Sequence, residues 1–295
     1  MAINPVSAEL LMLSRRLTPE AADVLMLGRQ WLRLKQREAA GLRQRHGIDL
    51  SEFADDEGSD RHFAEPLFER LGFRRVDSMD AAAYQGANLI HDLNTPVAGE
   101  LHQRYDWIFD GGTLEHVFHL PEASTSIAGM LRNGGLFISM TPCNNWMGHG
   151  LYQFSPELWF RLYSPERGFT CRLAALFEHD SGQFHALQDP ASSGRRHAFN
   201  PPGRLSMLLV AQKTGDPQTQ QLPAQSDYAA TWAGKAPTQQ ASSTGTGRMA
   251  KECLPRWLTA PIRQWRIDRR RRREARPQGP TYRNLTELWK HNLPS

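Results

Sequence analysis

The stretch Tyr105-Asp106-Trp107-Ile108-Phe109-Asp110-Gly111-Gly112-Thr113-Leu114-Glu115-His116-Val117 decides the fold. Tyr105–Phe109 is a clear buried strand. Asp110-Gly111-Gly112 ends it, and the glycine pair lets the backbone approach a ligand closely. Downstream, Leu120–Leu131 reads as a helix stopped by Asn133-Gly134-Gly135, and Leu136–Met140 as the next strand, closed by Thr141-Pro142. Ser155-Pro156-Glu157 opens a helix through about Tyr163, with the serine as cap and proline at the first helical position. Thr170–His179 and Arg204–Lys213 read as further strands. Upstream, Ala22–Gly28, Phe73–Met79 and Asn88–His91 are strand candidates, with helical composition over Gln30–His46 and Arg61–Leu71. Ser7 caps a short helix over Ala8–Leu17. Strands separated by helices predict a parallel α/β sheet.

Composition limits what this sheet can serve. The 295 residues are 40% hydrophobic, enough for a real core and too many for a wholly disordered chain. The net charge of +4 is unevenly placed. Residues 1–214 hold 21 Lys and Arg against 25 Asp and Glu, whereas residues 215–295 hold 14 against 6. The body is therefore acidic and repels phosphates, so nucleic acid is not an expected partner. Residues 215–250 are rich in Gln, Thr, Ser, Ala, Pro and Gly, and read as a linker. Residues 251–295 read as a basic amphipathic tail, in which Trp257 and Trp265 precede the run Arg269, Arg270, Arg271, Arg272 and Arg273. Such a tail suits an anionic membrane surface. Three widely spaced cysteines fit a reducing cytoplasm, a start at Met1 without leading positive charge is a poor signal peptide, and no apolar run spans a bilayer. The expected address is cytoplasmic, with the inner membrane face open to the tail.

In an open α/β sheet, ligands bind beyond the carboxyl ends of the strands. Gly28, Asp80, Asp92 and Asp110 stand at successive ends. Carboxylates there suit a ligand rich in hydroxyl and amine donors, and no Gly-Lys-Ser/Thr is present to build a phosphate loop.

With these residues in view, Tyr105–Val117 resembles the fourth-strand motif of class I S-adenosylmethionine-dependent methyltransferases. Met130-Leu131-Arg132-Asn133-Gly134-Gly135-Leu136-Phe137-Ile138 is similar to the family's following turn and fifth strand, and Arg204–Lys213 to its closing antiparallel strand. The resemblance covers roughly Asp23 to Lys213. It implies a doubly wound, Rossmann-like, mostly parallel seven-stranded sheet with helices on both faces, occupying residues 22–214 after an N-terminal helix in residues 1–21. It implies S-adenosylmethionine as cofactor, with Gly28 facing the methionine portion, Asp80 the ribose hydroxyls, Asp92 the adenine amine, and Asp110 and Gly111 the sulfonium side. Two positions depart from the family pattern: Met26 replaces the usual acid of the first motif, and Gln30 replaces its second glycine.

Further candidates lie on the acceptor side. Glu115, Asn144, Asn145 and Trp146 are candidates for binding substrate. His149 and His116 are candidate bases, because neutral imidazole works near pH 7, and Tyr152 could position an acceptor. His116 and His119, three residues apart, could share a helix face, but with no second cluster no metal is expected. The implied activity is methyl transfer to a small-molecule, glycan or lipid-linked acceptor. Two alternatives stay open: a pseudo-methyltransferase serving as scaffold or regulatory binder, favoured by Met26 and Gln30, and a peripheral membrane-binding protein acting through its tail.

Overall fold

The computed structural model describes residues 2–194, 196–218, 222–234, 269 and 279–292. Its strands are β1 (Ala2–Ile3), β2 (Asp23–Leu27), β3 (Trp31–Leu32), β4 (Arg75–Asp80), β5 (Leu89–Ile90), β6 (Tyr105–Asp110), β7 (Leu131–Asn144), β8 (Phe169–Glu178), β9 (Gln183–Ala186), β10 (Leu205–Lys213) and β11 (Thr281–Tyr282). The helices are α1 (Pro5–Ser14), α2 (Gln36–His46), α3 (Glu65–Arg70), α4 (Leu120–Met130), α5 (Pro156–Leu162), α6 (Ser226–Trp232) and α7 (Leu285–Asn292).

Nine strands form the main sheet in the order β11-β9-β8-β10-β7-β6-β2-β4-β5. Strands β5, β4, β2, β6 and β7 run parallel, while β10 inserts antiparallel between β7 and β8. These seven strands are the doubly wound arrangement that the resemblance implies, and β9 and β11 extend it at one edge. From β2 the chain winds outward to β4 and β5, then returns to β6 on the other side. The switch point therefore lies between the ends of β2 and β6, where a crevice opens in sheets of this kind.

Period-two alternation explains how each strand serves two cores. Val24, Met26, Trp107 and Phe109 face a cluster with Leu10, Leu42, Phe68 and Trp289 from α1, α2, α3 and α7. Leu25, Leu27 and Ile108 face the opposite cluster, with Ala123, Ile127 and Trp159 from α4 and α5. The β6 residues Tyr105 to Asp110 are essentially buried except Asp106. The Asp106 carboxylate instead accepts from the Ala22 and Asp23 amides and from Arg132, pinning the starts of β2 and β7.

Several boundaries differ from the sequence reading. Helix α1 starts at Pro5, because Asn4 accepts from the Val6 and Ser7 amides and Ser7 Oγ returns to the Asn4 amide, closing a capping box. The helix is buried along Ser7–Ser14, and Leu10, Leu11 and Leu13 share a core cluster with β2 and β6. Trp31–Leu32 pairs with β1 instead of opening a helix, and α2 begins only at Gln36. Within the expected linker, Ser226–Trp232 is helical.

Within the expected tail, Thr281–Tyr282 pairs with β9, and α7 buries Leu285, Leu288 and Trp289. Of the arginine run, only Arg269 is among the described residues; Arg270–Arg273, Trp257 and Trp265 lie outside them. Among the described residues no helix is long and apolar enough to cross a membrane.

Glu9 joins three helices. It accepts from Arg45 (2.9 and 3.2 Å) on α2 and Thr286 (3.0 Å) on α7, and meets His46 Nε2 at 3.0 Å. Burial pushes its carboxyl up, but His46, Arg45 and Thr286 together outweigh burial and hold it below its ordinary value. The unfolded chain therefore binds the proton first as pH falls, so this contribution is present above pH 4.5 and is lost as pH drops through the native value.

Glu9→Gln should accordingly flatten the acid limb of a stability–pH curve below 4.5 and lower stability at neutral pH, measured by urea unfolding. Trp289→Ala should cost about 3–5 kcal/mol by the same measurement, as for a large side chain lost from a closed core.

Candidate functional site

The turn after β6 is built around one carboxylate. Asp110 is fully buried, and its Oδ1 accepts from the amides of Gly112 (3.3 Å), Thr113 (2.8 Å) and Leu114 (3.3 Å). Its Oδ2 accepts from Ser139 Oγ on β7 (3.1 Å). Gly112 takes φ +103°, a conformation that disfavours a side chain. Thr113 Oγ1 donates to the Leu27 carbonyl, fastening this turn to the end of β2. Asp110, expected on the sulfonium side of a ligand, is thus consumed in shaping the turn that bears Gly111 and Gly112.

Gln30 fills the other side of the switch point. It is fully buried, and its Nε2 donates to the Leu27 carbonyl at 2.8 Å. Its Oε1 has no hydrogen-bond partner. A Cβ added at Gly111 would lie 2.8 Å from this oxygen, so the amide oxygen looks directly onto the glycine backbone.

Gly28 takes φ +68° and donates its amide to Met79 O on β4. Arg29 then reaches sideways. It donates to Glu65 Oε1 (2.7 Å) and to the Gln85 carbonyl (2.9 Å), and lies 3.8 Å over the Phe63 ring. It bridges the turn after β2 to the loop after β4.

Glu115 is the second buried carboxylate. It sits on the short turn Leu114–His116 and is 1% exposed. Its backbone carbonyl accepts from the Leu151 (2.7 Å) and Tyr152 (3.1 Å) amides, which draws the loop after β7 over it. That pairing brings His149 Nε2 to 3.3 Å from Oε1, while Oε2 is buried without a partner. Burial, and next the nearby Asp110 charge, push the Glu115 carboxyl well above its ordinary value. Burial raises the Asp110 carboxyl as well, but its four donors offset part of that and favour its charged form, so the proton at neutral pH belongs to Glu115.

A cavity of about 290 Å³ opens over these groups, at the small end of ligand sites. Gly111, Gly112, Glu115, His116, Trp146 and His149 line its sheet side. Asn4 and Ser7 of α1, with Arg33, close it from above. Trp146 is held by its Nε1 donating to the Leu205 carbonyl at 2.8 Å, and its ring lies 5.4 Å from that of His149 and 5.1 Å from that of His179. Burial, and next the nearby His149, lower the His116 pKa, so this imidazole is neutral at pH 7.

The other expected residues fall elsewhere. Asn144 donates to Asn200, and Asn145 to the carbonyls of Pro201, Pro202 and Gly203, so both tie the loop down instead of facing the cavity. Tyr152 donates its hydroxyl to the Phe118 carbonyl and likewise positions the loop. Asp92 is occupied by the Asn94 amide and side chain. Asp80 ends β4 half-buried, where its carbonyl accepts from His91. His119 precedes α4 and bonds Asn94, so His116 and His119 share no helix face. Cys143 is inert, since burial pushes its thiol up to about 12.

The sequence reading missed Asn4, Ser7 and Arg33 as cavity walls and treated Gln30 only as a departure. A polar pair at the start of an otherwise apolar helix was the available signal for Asn4 and Ser7. Nothing local announces that His149 meets Glu115.

Gly150 takes φ +72°, and an added Cβ would come within 2.9 Å of Glu115 Cγ and its carbonyl oxygen. Gly150→Ala should therefore cost at least about 1–2 kcal/mol for the left-handed backbone alone. Thermal unfolding would show the loss, and the His149 ring resonances should shift in an NMR spectrum as the loop lifts from Glu115.

No protein-family model matches the chain, and no curated protein is similar to it. Among solved structures, a 1,6-didemethyltoxoflavin-N1-methyltransferase from Burkholderia thailandensis is similar at 15% identity and a TM-score of 0.40, over 71% of this chain and 79% of that one. A SAM dependent methyltransferase from Aquifex aeolicus is similar at 9% identity and a TM-score of 0.38, over 70% and 90% of the two chains. TehB from Haemophilus influenzae is similar at 12% identity and a TM-score of 0.38, over 68% and 60%.

Proposed function

We propose that the chain is a methyltransferase that uses S-adenosylmethionine and modifies a small-molecule acceptor. One observation carries this reading. Two buried acceptor oxygens without partners, Gln30 Oε1 and Glu115 Oε2, flank the Gly111–Gly112 backbone at the switch point of a doubly wound sheet. Buried unpaired acceptors are costly, and a ligand that brings N–H donors or positive charge relieves both. The ammonium and sulfonium of S-adenosylmethionine have that character, so the residues fit the group.

In this reading Gln30 is the feature that adapts the first motif, not a defect in it. It supplies an amide oxygen where the pattern has a glycine. Gly111 and Gly112 would give the ligand backbone access, and the half-buried Asp80 would take hydroxyl donors at the end of β4. The cofactor contributes an activated methyl group when bound. The protein's share is then alignment and proton handling. His116 and His149 face the cavity and would accept a proton from an acceptor hydroxyl or amine. Trp146 would stack against an acceptor of modest size, since the cavity holds about 290 Å³. The glycan and lipid-linked acceptors of the sequence reading are less suited to that volume.

Calorimetry with S-adenosylhomocysteine tests the proposal. Ligand at about a hundred times its Kd should also stabilise the chain by about 2.7 kcal/mol. Gln30→Met should weaken binding by about 1.5–3 kcal/mol, roughly tenfold to a hundredfold, because it removes an acceptor to a charged donor. No heat and no thermal shift at millimolar ligand would overturn the reading.

A further inference from the structure

The loop after β7 brings His149 to two neighbours in sequence, Glu115 and His116. Glu115, His116 and His149 each direct a ligand-type atom into the same small space, all within 4.8 Å of one another. Glu115 Oε1 and His149 Nε2 are 3.3 Å apart, and the His116 and His149 rings stand 5.3 Å apart at 67°. We propose that Glu115, His116 and His149 form a binding site for a divalent transition-metal ion, facing the cavity.

Four features support this. First, Glu115, whose Oε1 faces His149, is almost wholly buried, yet its Oε2 has no partner. A cation would relieve that atom. Second, neither Glu115 nor the adjacent buried Asp110 is ion-paired to an arginine or lysine among the described residues; His149 is the one cationic-type group at Glu115. The Asp110 charge beside the cluster favours a positive ion, whose binding displaces the proton from Glu115 to solvent. Third, the ligand spacing is close to what an ion demands. Metal–ligand distances of about 2.0–2.2 Å place ligand atoms about 3.4 Å apart around a tetrahedral centre. The Glu115–His149 pair already meets that value, and the exposed imidazole of His116 can rotate the remaining distance. Fourth, the groups are held from behind. Two amides fix the Glu115 carbonyl, and the His149 amide donates to the Trp146 carbonyl at 3.0 Å.

Donor chemistry sets the metal class. Two imidazoles with one carboxylate select zinc or a neighbouring first-row divalent ion over magnesium or calcium, which prefer all-oxygen sets. Three protein ligands leave coordination positions open, as in reactive and not merely structural sites. Those positions face the space bounded by Asn4, Ser7 and Trp146. An acceptor offering an oxygen or nitrogen lone pair would fit there. With the ion bound, the imidazole lone pairs are committed to it, so the loaded and free cavities differ in chemistry. The site shares Glu115, His116 and His149 with the acceptor side of the proposed methyltransferase, and its geometry requires no bound cofactor.

The test uses the full chain, stripped with a chelator and titrated with cobalt(II) chloride in the absence of any cofactor. A visible ligand-field band saturating at one ion per chain, and abolished by added zinc chloride, is expected. His149→Ala, His116→Ala and the near-isosteric Glu115→Gln should each weaken binding more than about tenfold. His119→Ala, outside the cluster, should bind as the parent does. Circular dichroism melts of each variant show that it is folded, and His149→Ala alters only a half-exposed side chain. No saturable band, or a band that His149→Ala leaves unchanged, overturns the proposal. Binding of S-adenosylhomocysteine to the metal-free chain is read separately, so either result can fail without the other.

Discussion

A carboxylate sealed inside the sheet organises the functional end of this molecule. Asp110 is fully buried with no arginine or lysine paired to it among the described residues, and its charge survives there because four donors from two elements converge on it. Satisfying it forces the backbone to curl back immediately after β6. That curl requires Gly112 in a left-handed conformation, brings Thr113 to the end of β2, and starts the turn carrying Glu115 and His116. Two strands that only share a sheet are thereby fixed to each other at their carboxyl ends. The crevice has a defined shape because this one group must be paired.

The same carboxylate sets the state of its neighbour. Two acids this near cannot both be charged in a dry setting, and the donors have already been assigned to Asp110. Glu115 is left protonated and with an oxygen unmatched, while the loop it draws over itself carries His149 and Trp146. Stability has been given up locally in Glu115, Gln30 and Gly112. Such costs concentrate where a chain must meet something other than itself.

Much of the sheet could be read directly from the residues. The strands β2, β6 and β10 announce themselves because their apolar residues are continuous and bounded by glycine, aspartate or proline. The Gly111–Gly112 backbone at the end of β6 followed from them. What could not be read depends on distant contacts. Trp31–Leu32 has helical neighbours in sequence, but pairs with β1. Residues 281–292 share a basic stretch with the arginine run, and only the β9 edge and the underside of α1 show that Leu285, Leu288 and Trp289 face inward. In the site, Asp80 and Asp110 close β4 and β6 and Gly28 follows β2, but the roles of such residues are not separable by position. Whether an aspartate caps its own turn, like Asp92, or shapes a neighbour's, like Asp110, is decided by where the amides fall. Asn144, Asn145 and Tyr152 look like ligand contacts by residue type, and spend their hydrogen bonds on keeping the loop in place.

Helix α1 faces two ways. Asn4 and Ser7 look into the cavity, while Glu9, two residues after Ser7, holds the Thr286 hydroxyl of α7. During synthesis α1 emerges long before α7, which is separated from it by the whole sheet. The wall of the cavity therefore lacks its support until residues 285–292 have been made and have docked. A nascent chain can complete its parallel strands early, yet it finishes the cavity only at the end, so a chain interrupted before that point carries the sheet without a fully braced cavity wall.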